Sequence, residues 1–290
     1  MKALLEKFSS SILKHTIMKF ICLLFVLLVQ CCFSQQGEAT YFEHVQMQFQ
    51  LDSSSNAQMN DAMKDKIRAQ IQSQMQKEYT LVFNTKESVY KQEAKLNTPN
   101  PAAQNGGVFV MTAGGSDILY KNLQTHSFAN QTELMGKVFL IKDTLSTRQW
   151  QLGTETKTIG NYTCYKATAT YTQEHQKINF SNTKELTEHT TETITITAWY
   201  TPEIAISNGP ENYQGLPGLI LEIHDGSKTL VCNKVTLSNK KDIEIEAPTK
   251  GKEVTQTEFD EISDKKMKQW VEQHTKKTRN GNEITIEISK

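Results

Sequence analysis

Tyr213-Gln214-Gly215-Leu216-Pro217-Gly218-Leu219-Ile220-Leu221-Glu222-Ile223 decides how this chain folds. Pro217 pre-sets φ for the second position of a tight turn, and Gly218 then supplies the positive φ that a type II turn requires. The apolar run Leu219 to Ile223 has the length and composition of a buried strand. Just upstream lie Ala198-Trp199-Tyr200-Thr201-Pro202-Glu203-Ile204-Ala205-Ile206 and Gly209-Pro210, and with Pro217 the stretch holds three of the six prolines of the chain. A stiff, turn-rich corner feeding the core is the expectation. Trp199, Tyr200 and Tyr213 in that corner have two readings, an exposed aromatic patch for a ligand or partner, or packing of the proline-rich segment.

Outward from the corner, most of the chain reads as strands. Ala39, Tyr41, Val45, Met47, Phe49 and Leu51 alternate with polar residues, the period of two of a strand with one wet face. Strand composition returns at 79–83 and 88–90, then at 118–124, 137–142, 148–152, 162–172 and 190–200. Beyond the corner it covers 219–224, 229–237, 242–247 and 283–289. Gly160-Asn161 and Asp225-Gly226 are hairpin turn signals. Two stretches read as helices. Over 60–77, Met59, Met63, Ile67, Ile71 and Met75 form an apolar stripe, either a helix packed on the sheet or a methionine-rich lid over an apolar groove. Thr257 caps a second helix through about Lys277, with Phe259, Ile262, Trp270 and Val271 on its apolar side. The fold expected is mainly β, a large curved antiparallel sheet or partly open barrel with two peripheral helices.

Residues 1–34 read as a secretory signal: Lys19, an apolar run from Phe20 to Val29, and small residues ending at Ser34, with Met18 an alternative start. The run is too short to span a bilayer, which takes about 20 residues. A single β-rich domain, residues 35–290, follows, in the periplasm, at the outer-membrane surface or secreted. A lipidated Cys31 or Cys32 is the alternative to cleavage after Ser34. The whole chain has 32 bases and 32 acids with no long block of one sign, which argues against a nucleic-acid partner. Only Cys164 and Cys232 lie beyond the signal, and an even pair in an oxidising compartment reads as a disulfide or as two buried thiols.

No Gly-x-Ser-x-Gly elbow, HExxH, Walker A loop or paired CxxC occurs, so no catalytic residue, cofactor or metal is assigned. His175 and His189, on segments able to pair, with Glu185 and Glu188 in the connection, are the nearest approach to a metal pair, but no ligand spacing supports them.

The hexapeptide Gly215-Leu216-Pro217-Gly218-Leu219-Ile220 resembles the motif of the GLPGLI family, exported proteins common in Bacteroidetes. The stretch Glu155 to Ala167 looks like the family's central hairpin, and Ala198 to Ile204 with Gly209-Pro210 its approach to the motif. Lys250-Gly251-Lys252 with Glu258-Phe259 resembles the opening of its late helix. The resemblance covers roughly residues 137 to 270 and implies an envelope or secreted location without an established activity. Asp143-Thr144-Leu145 is similar to the O-glycosylation acceptor triplet of that phylum, with Thr144 as acceptor. The expected role is a non-enzymatic binding or carrier module for an apolar small molecule. The alternatives are an accessory protein docked on an outer-membrane partner and, more remotely, a metal-dependent or other hydrolase.

Overall fold

The computed structural model describes residues 35–45, 77–93, 117–181, 184–226, 228–238, 243–275 and 284–289, with side chains left undescribed at 174–189 and from 270 onward. Two antiparallel meanders share one 13-stranded sheet. The first runs through β2 (Lys77–Phe83), β3 (Glu87–Gln92), β4 (Ile118–Asn122), β5 (Ser127–Leu134) and β6 (Lys137–Thr144). The second runs through β7 (Gln151–Ile159), β8 (Tyr162–Ser181), β9 (Lys184–Thr201), β10 (Leu219–Asp225) and β11 (Lys228–Leu237). β1 (Gly37–Val45) is the seam, paired antiparallel to β2 on one side and to β11 on the other. At one end β12 (Lys252–Val254) pairs parallel to β6, and at the other β7 and β13 (Ile284–Ser289) share the outer edge of β8 end to end. The sheet does not close, so the open alternative holds and the pairing is mixed at one edge. Residues from Gln36 onward form one compact unit.

Turn chemistry sets the registers. Leu134 pairs with Lys137 around Met135 and Gly136, both at positive φ (49° and 77°), the signature of a two-residue type I′ hairpin. Gly160 at φ 58° opens the two-residue turn between Ile159 and Tyr162, where its sequence signal placed it. Asn122 Oδ1 accepts the amides of Gln124 and Thr125 and folds the chain back from β4 to β5.

One helix, α1 (Gln256–Thr275), is described, where two were expected; the methionine-striped segment 60–77 lies outside the described residues apart from Lys77, which opens β2. The cap of α1 is Thr255, not Thr257. Thr255 Oγ1 accepts the Glu258 amide at 3.2 Å, and Glu258 Oε2 accepts the Thr255 amide at 2.8 Å, a reciprocal capping box. Phe259 packs edge-on against Phe139 of β6, with Ile141, Val254 and Ile262 in the same small cluster. The strand expected at 242–247 does not form: its described part, 243–247, has no ladder. Its Ile243 amide donates to Gln36 Oε1 and its carbonyl accepts from Asn84 Nδ2, so side chains take the bonds a neighbouring strand would have supplied.

Five consecutive residues of β10, Leu219 to Ile223, are buried. Leu219 and Leu221 enter one core cluster with Tyr41, Leu81, Phe83, Ile204 and Ile206. Ile220 and Ile223 enter another with Ala167, Ile196, Ala198, Tyr213 and Leu216. Such alternation leaves no wet face, and each Leu or Ile so buried contributes about 1.5–3 kcal/mol. Two core clusters therefore meet on the strand that the corner feeds.

Candidate functional site

The corner, residues 202–218, is built as a chain of tight turns anchored to β10. Ile206 N donates to Ile204 O and Asn208 N to Ile206 O, while the amides of Leu219 and Ile220 reach back to Ile204 O and Asn208 O, each at 2.9 Å. Pro217 is the centre of a three-residue turn closed by Gly218 N donating to Leu216 O at 2.8 Å, a geometry whose φ a proline already holds. The expected type II turn with Gly218 at positive φ is not what forms. Gly215 takes the left-handed conformation instead, at φ 94°, with the Trp150 indole over it. Gly218 is required for space: a Cβ there would lie 2.1 Å from Thr201 O and 2.5 Å from Thr201 C. The hexapeptide thus splits its two glycine roles, dihedral at Gly215 and steric at Gly218.

Tyr213 and Tyr200 are 2% and 6% exposed, and Trp199 is partly buried against the first core cluster. These rings pack the corner rather than lie open on the surface. Arg148 stacks on the Tyr213 ring at 4.9 Å and donates to Asn212 Oδ1. Trp150 Nε1 donates to Gln214 O, and Gln214 Nε2 to Ser146 O, so segment 146–150 straps the corner down. The Asp225 carboxylate accepts the hydroxyls of both Tyr171 and Tyr213. Burial and that carboxylate push the Tyr171 hydroxyl up to about 12 and the Tyr213 hydroxyl higher still.

A polar row links β7, β10 and β11. Glu222 Oε1 takes Lys157 Nζ at 2.6 Å and His224 Nε2 at 2.5 Å, and His224 Nδ1 meets Thr229 Oγ1 at 3.1 Å. Lys157 also lies over the Trp199 ring at 4.5 Å. Hydroxyl, imidazole and carboxylate follow one another in the order of a nucleophile, its base and the group that orients the base. His224 and Thr229 are simple cross-strand partners, however, and the surrounding amides are spent in the ladders of β9, β10 and β11. What the row does is tie β7 to β10.

Sequence reading missed Lys121 altogether. Lys121 is fully buried in β4 and its Nζ donates to Gly209 O of the corner at 2.8 Å. Burial pulls its amine down to about 7, and the charge of Glu211 draws it partly back up. Ser88, directly across from it on β3, and Tyr90 and Asn208 hold buried polar atoms without a hydrogen-bond partner among the described residues. The alternation of Leu119 and Lys121 was the one signal available, since it places the lysine on the apolar face of its strand.

Cys164 and Cys232 are free, buried thiols in the first core cluster, not a disulfide. Strands β9 and β10 stand between their strands in the sheet order, and each thiol donates to a nearby carbonyl, of Tyr162 and Lys234. Burial pushes them up to about 11 and 12, away from thiolate chemistry. Thr144 is exposed at the end of β6, and its amide, with that of Gln256, holds the Asp143 carboxyl below its usual range. Met59, Met63 and Met75 lie outside the described residues. The register pairs His175 with Thr190 and Gln176 with His189, so the two histidines are not cross-strand partners. Among the described residues no group of three His, Cys, Asp or Glu is placed to hold a metal ion. No helix among them is long and apolar enough to cross a membrane.

No curated protein matches the chain. Among the solved structures similar to it are two of PNGF-II, and the chain spans about a third of the length of each. A structure of PNGF-II in space group C2 is 14% identical at a TM-score of 0.43, the match covering 79% of this chain and 32% of that one. A structure of PNGF-II in space group P21 is 16% identical at a TM-score of 0.38, covering 72% and 29%. Likeness at this level carries no argument about function. A family model described as a protein of unknown function (Porph_ging) matches residues 150–222, from the strap through the corner into β10.

Proposed function

We propose that the chain is an exported cell-envelope protein of the GLPGLI type that acts by binding, as a carrier of an apolar ligand, and not by catalysis. The observation that carries this reading is how the chemically capable groups of the corner are used. Both thiols and Tyr213 are buried and pushed up from the ionised forms that nucleophiles need. Asp225, Glu222, Lys157 and Arg148 are occupied in holding the strap and β7 in place. A large open sheet stiffened by such a corner is a scaffold, and apolar pockets are the usual sites on rigid scaffolds. The motif residues 215–220 are what supports the family placement, and they lie within the stretch 150–222 matched by the family model of unknown function.

A second reading, docking on an outer-membrane partner, is favoured by the β8–β9 hairpin. Its 20- and 18-residue strands run well beyond the neighbours β7 and β10, and the far half is flanked by β13 alone among the described strands. Titration of the delipidated chain with a long-chain acyl fluorophore separates the two. Saturable one-to-one binding supports the carrier, and a flat titration with the fold intact removes it.

A further inference from the structure

A groove of about 440 Å3 lies over the centre of the sheet, lined by Glu38, Thr40, Glu78, Thr80, Glu93 and Lys234, with Asn233 at its rim. Its floor is the cross-strand pair Thr40 and Thr80 of β1 and β2. Both threonines are nine-tenths buried, at 9% and 6% exposure, yet neither hydroxyl has a hydrogen-bond partner among the described residues. Register then places the charges. Glu38 stands level with Val82 and Glu78 level with Phe42, two residues beyond the threonine pair in opposite directions. At about 3.4 Å per residue the two glutamates are rooted about 14 Å apart along the strands. Glu93, whose amide donates to Glu78 O, joins the Glu78 end. None of the three glutamates is in an ion pair among the described residues. Lys234 and Lys91 flank the threonines sideways, level with Thr40 and Thr80 on β11 and β3.

We propose that this groove binds a linear polyamine, its terminal ammonium groups at Glu38 and at Glu78 with Glu93, and its middle over the Thr40 and Thr80 hydroxyls. Carboxylates so far apart cannot share one metal ion, whose oxygen ligands must all come within about 2.6 Å. Two cationic ends joined by a flexible chain match the spacing, and the hydroxyls accept a hydrogen bond from an inner ammonium. Four lining charges leave the groove negative overall, and its volume lies in the range of small-molecule sites. The site is separate from the corner and does not depend on the carrier reading.

Isothermal titration of the full chain with spermidine, butylamine and calcium chloride tests it, at low and at physiological salt. Spermidine should bind one per chain with a Kd below about 1 mM at low salt, at least about tenfold tighter than butylamine, and weaken with salt. Glu38→Gln with Glu78→Gln should lose about tenfold, each carboxylate contributing a few-fold, while Lys234→Gln tightens binding. Thr80→Val should weaken it while leaving all charges in place. Glu133→Gln with Glu246→Gln, the same charge change at exposed sites outside the groove, should leave the affinity unchanged. Absence of spermidine binding, equal loss in the control pair, or calcium that displaces spermidine overturns the proposal.

Discussion

Replacing Lys121 by methionine should stabilise the protein, and the gain should fade as the pH rises. The lysine is fully buried, with one hydrogen bond to Gly209 O and no carboxylate at ion-pair distance among the described residues. Its amine titrates near 7 in the fold against 10.5 in an ordinary setting. Between those values the unfolded chain holds a proton that the native protein lacks, so this group makes stability rise with pH from about 7 to about 10.5. Below 7 the cost is constant. At 1.36 kcal/mol per pH unit it amounts to at most about 5 kcal/mol. Methionine removes that cost but leaves the Gly209 carbonyl unpaired, worth about 1–3 kcal/mol. Lys121→Met should therefore gain about 2 kcal/mol or more at pH 7 and lose its advantage by pH 10. Urea denaturation of both proteins at pH 6, 7, 8, 9 and 10 measures this directly, and taking the difference cancels the tyrosines and thiols that titrate in both. A variant less stable than its parent at pH 7, by an amount independent of pH, would refute the burial argument.

Two further changes probe the corner and the helix. Gly218→Ala forces a Cβ to 2.1 Å from Thr201 O, and every near neighbour is backbone, so about 3 kcal/mol or more should be lost. That appears as a fall in Tm of about 10 °C; a Tm within 2 °C of the parent contradicts the steric role. Thr255→Ala removes one half of the capping box and should cost about 1 kcal/mol. Hydrogen exchange should then quicken in the first turns of α1 while β9 and β10 stay protected, and uniform quickening would show the cap to be coupled to the whole core.

Much of the sheet was legible because period two is written into it. In β9 Ile196 and Ala198 are buried where Thr195 and Thr197 are not, and β10 is a bare apolar run. The failures have physical causes. Ser127 to Leu134 carries Asn, Gln and Glu where β-branched residues would advertise a strand, yet it pairs along its whole length with β6 and over Ser127 to Gln131 with β4. Ile243 and Ile245 alternate like a strand, but no free edge meets them. β12 has only three residues and exists because Gly251 lets the backbone pass against Phe139 and Leu140, where a Cβ would be at 2.7 Å. The corner was legible as a corner, not in which glycine needs φ and which needs space, because Thr201 meets Gly218 only once the chain has folded. The alternation with Leu119 hinted at the face of Lys121 but not at its full burial, because its lid, Gly209, comes from 88 residues away. The groove needed register, which places Glu38 and Glu78 at opposite ends of one threonine pair.

The central claim, that the chain works by carrying an apolar ligand, is tested most directly by native mass spectrometry of the protein taken from its own cell envelope. The account predicts a mass above that of the processed chain, with an apolar adduct released intact on collisional activation. A clean apo mass from gently handled material, with an outer-membrane protein co-purifying in fixed ratio, would contradict it and leave the docking reading in its place.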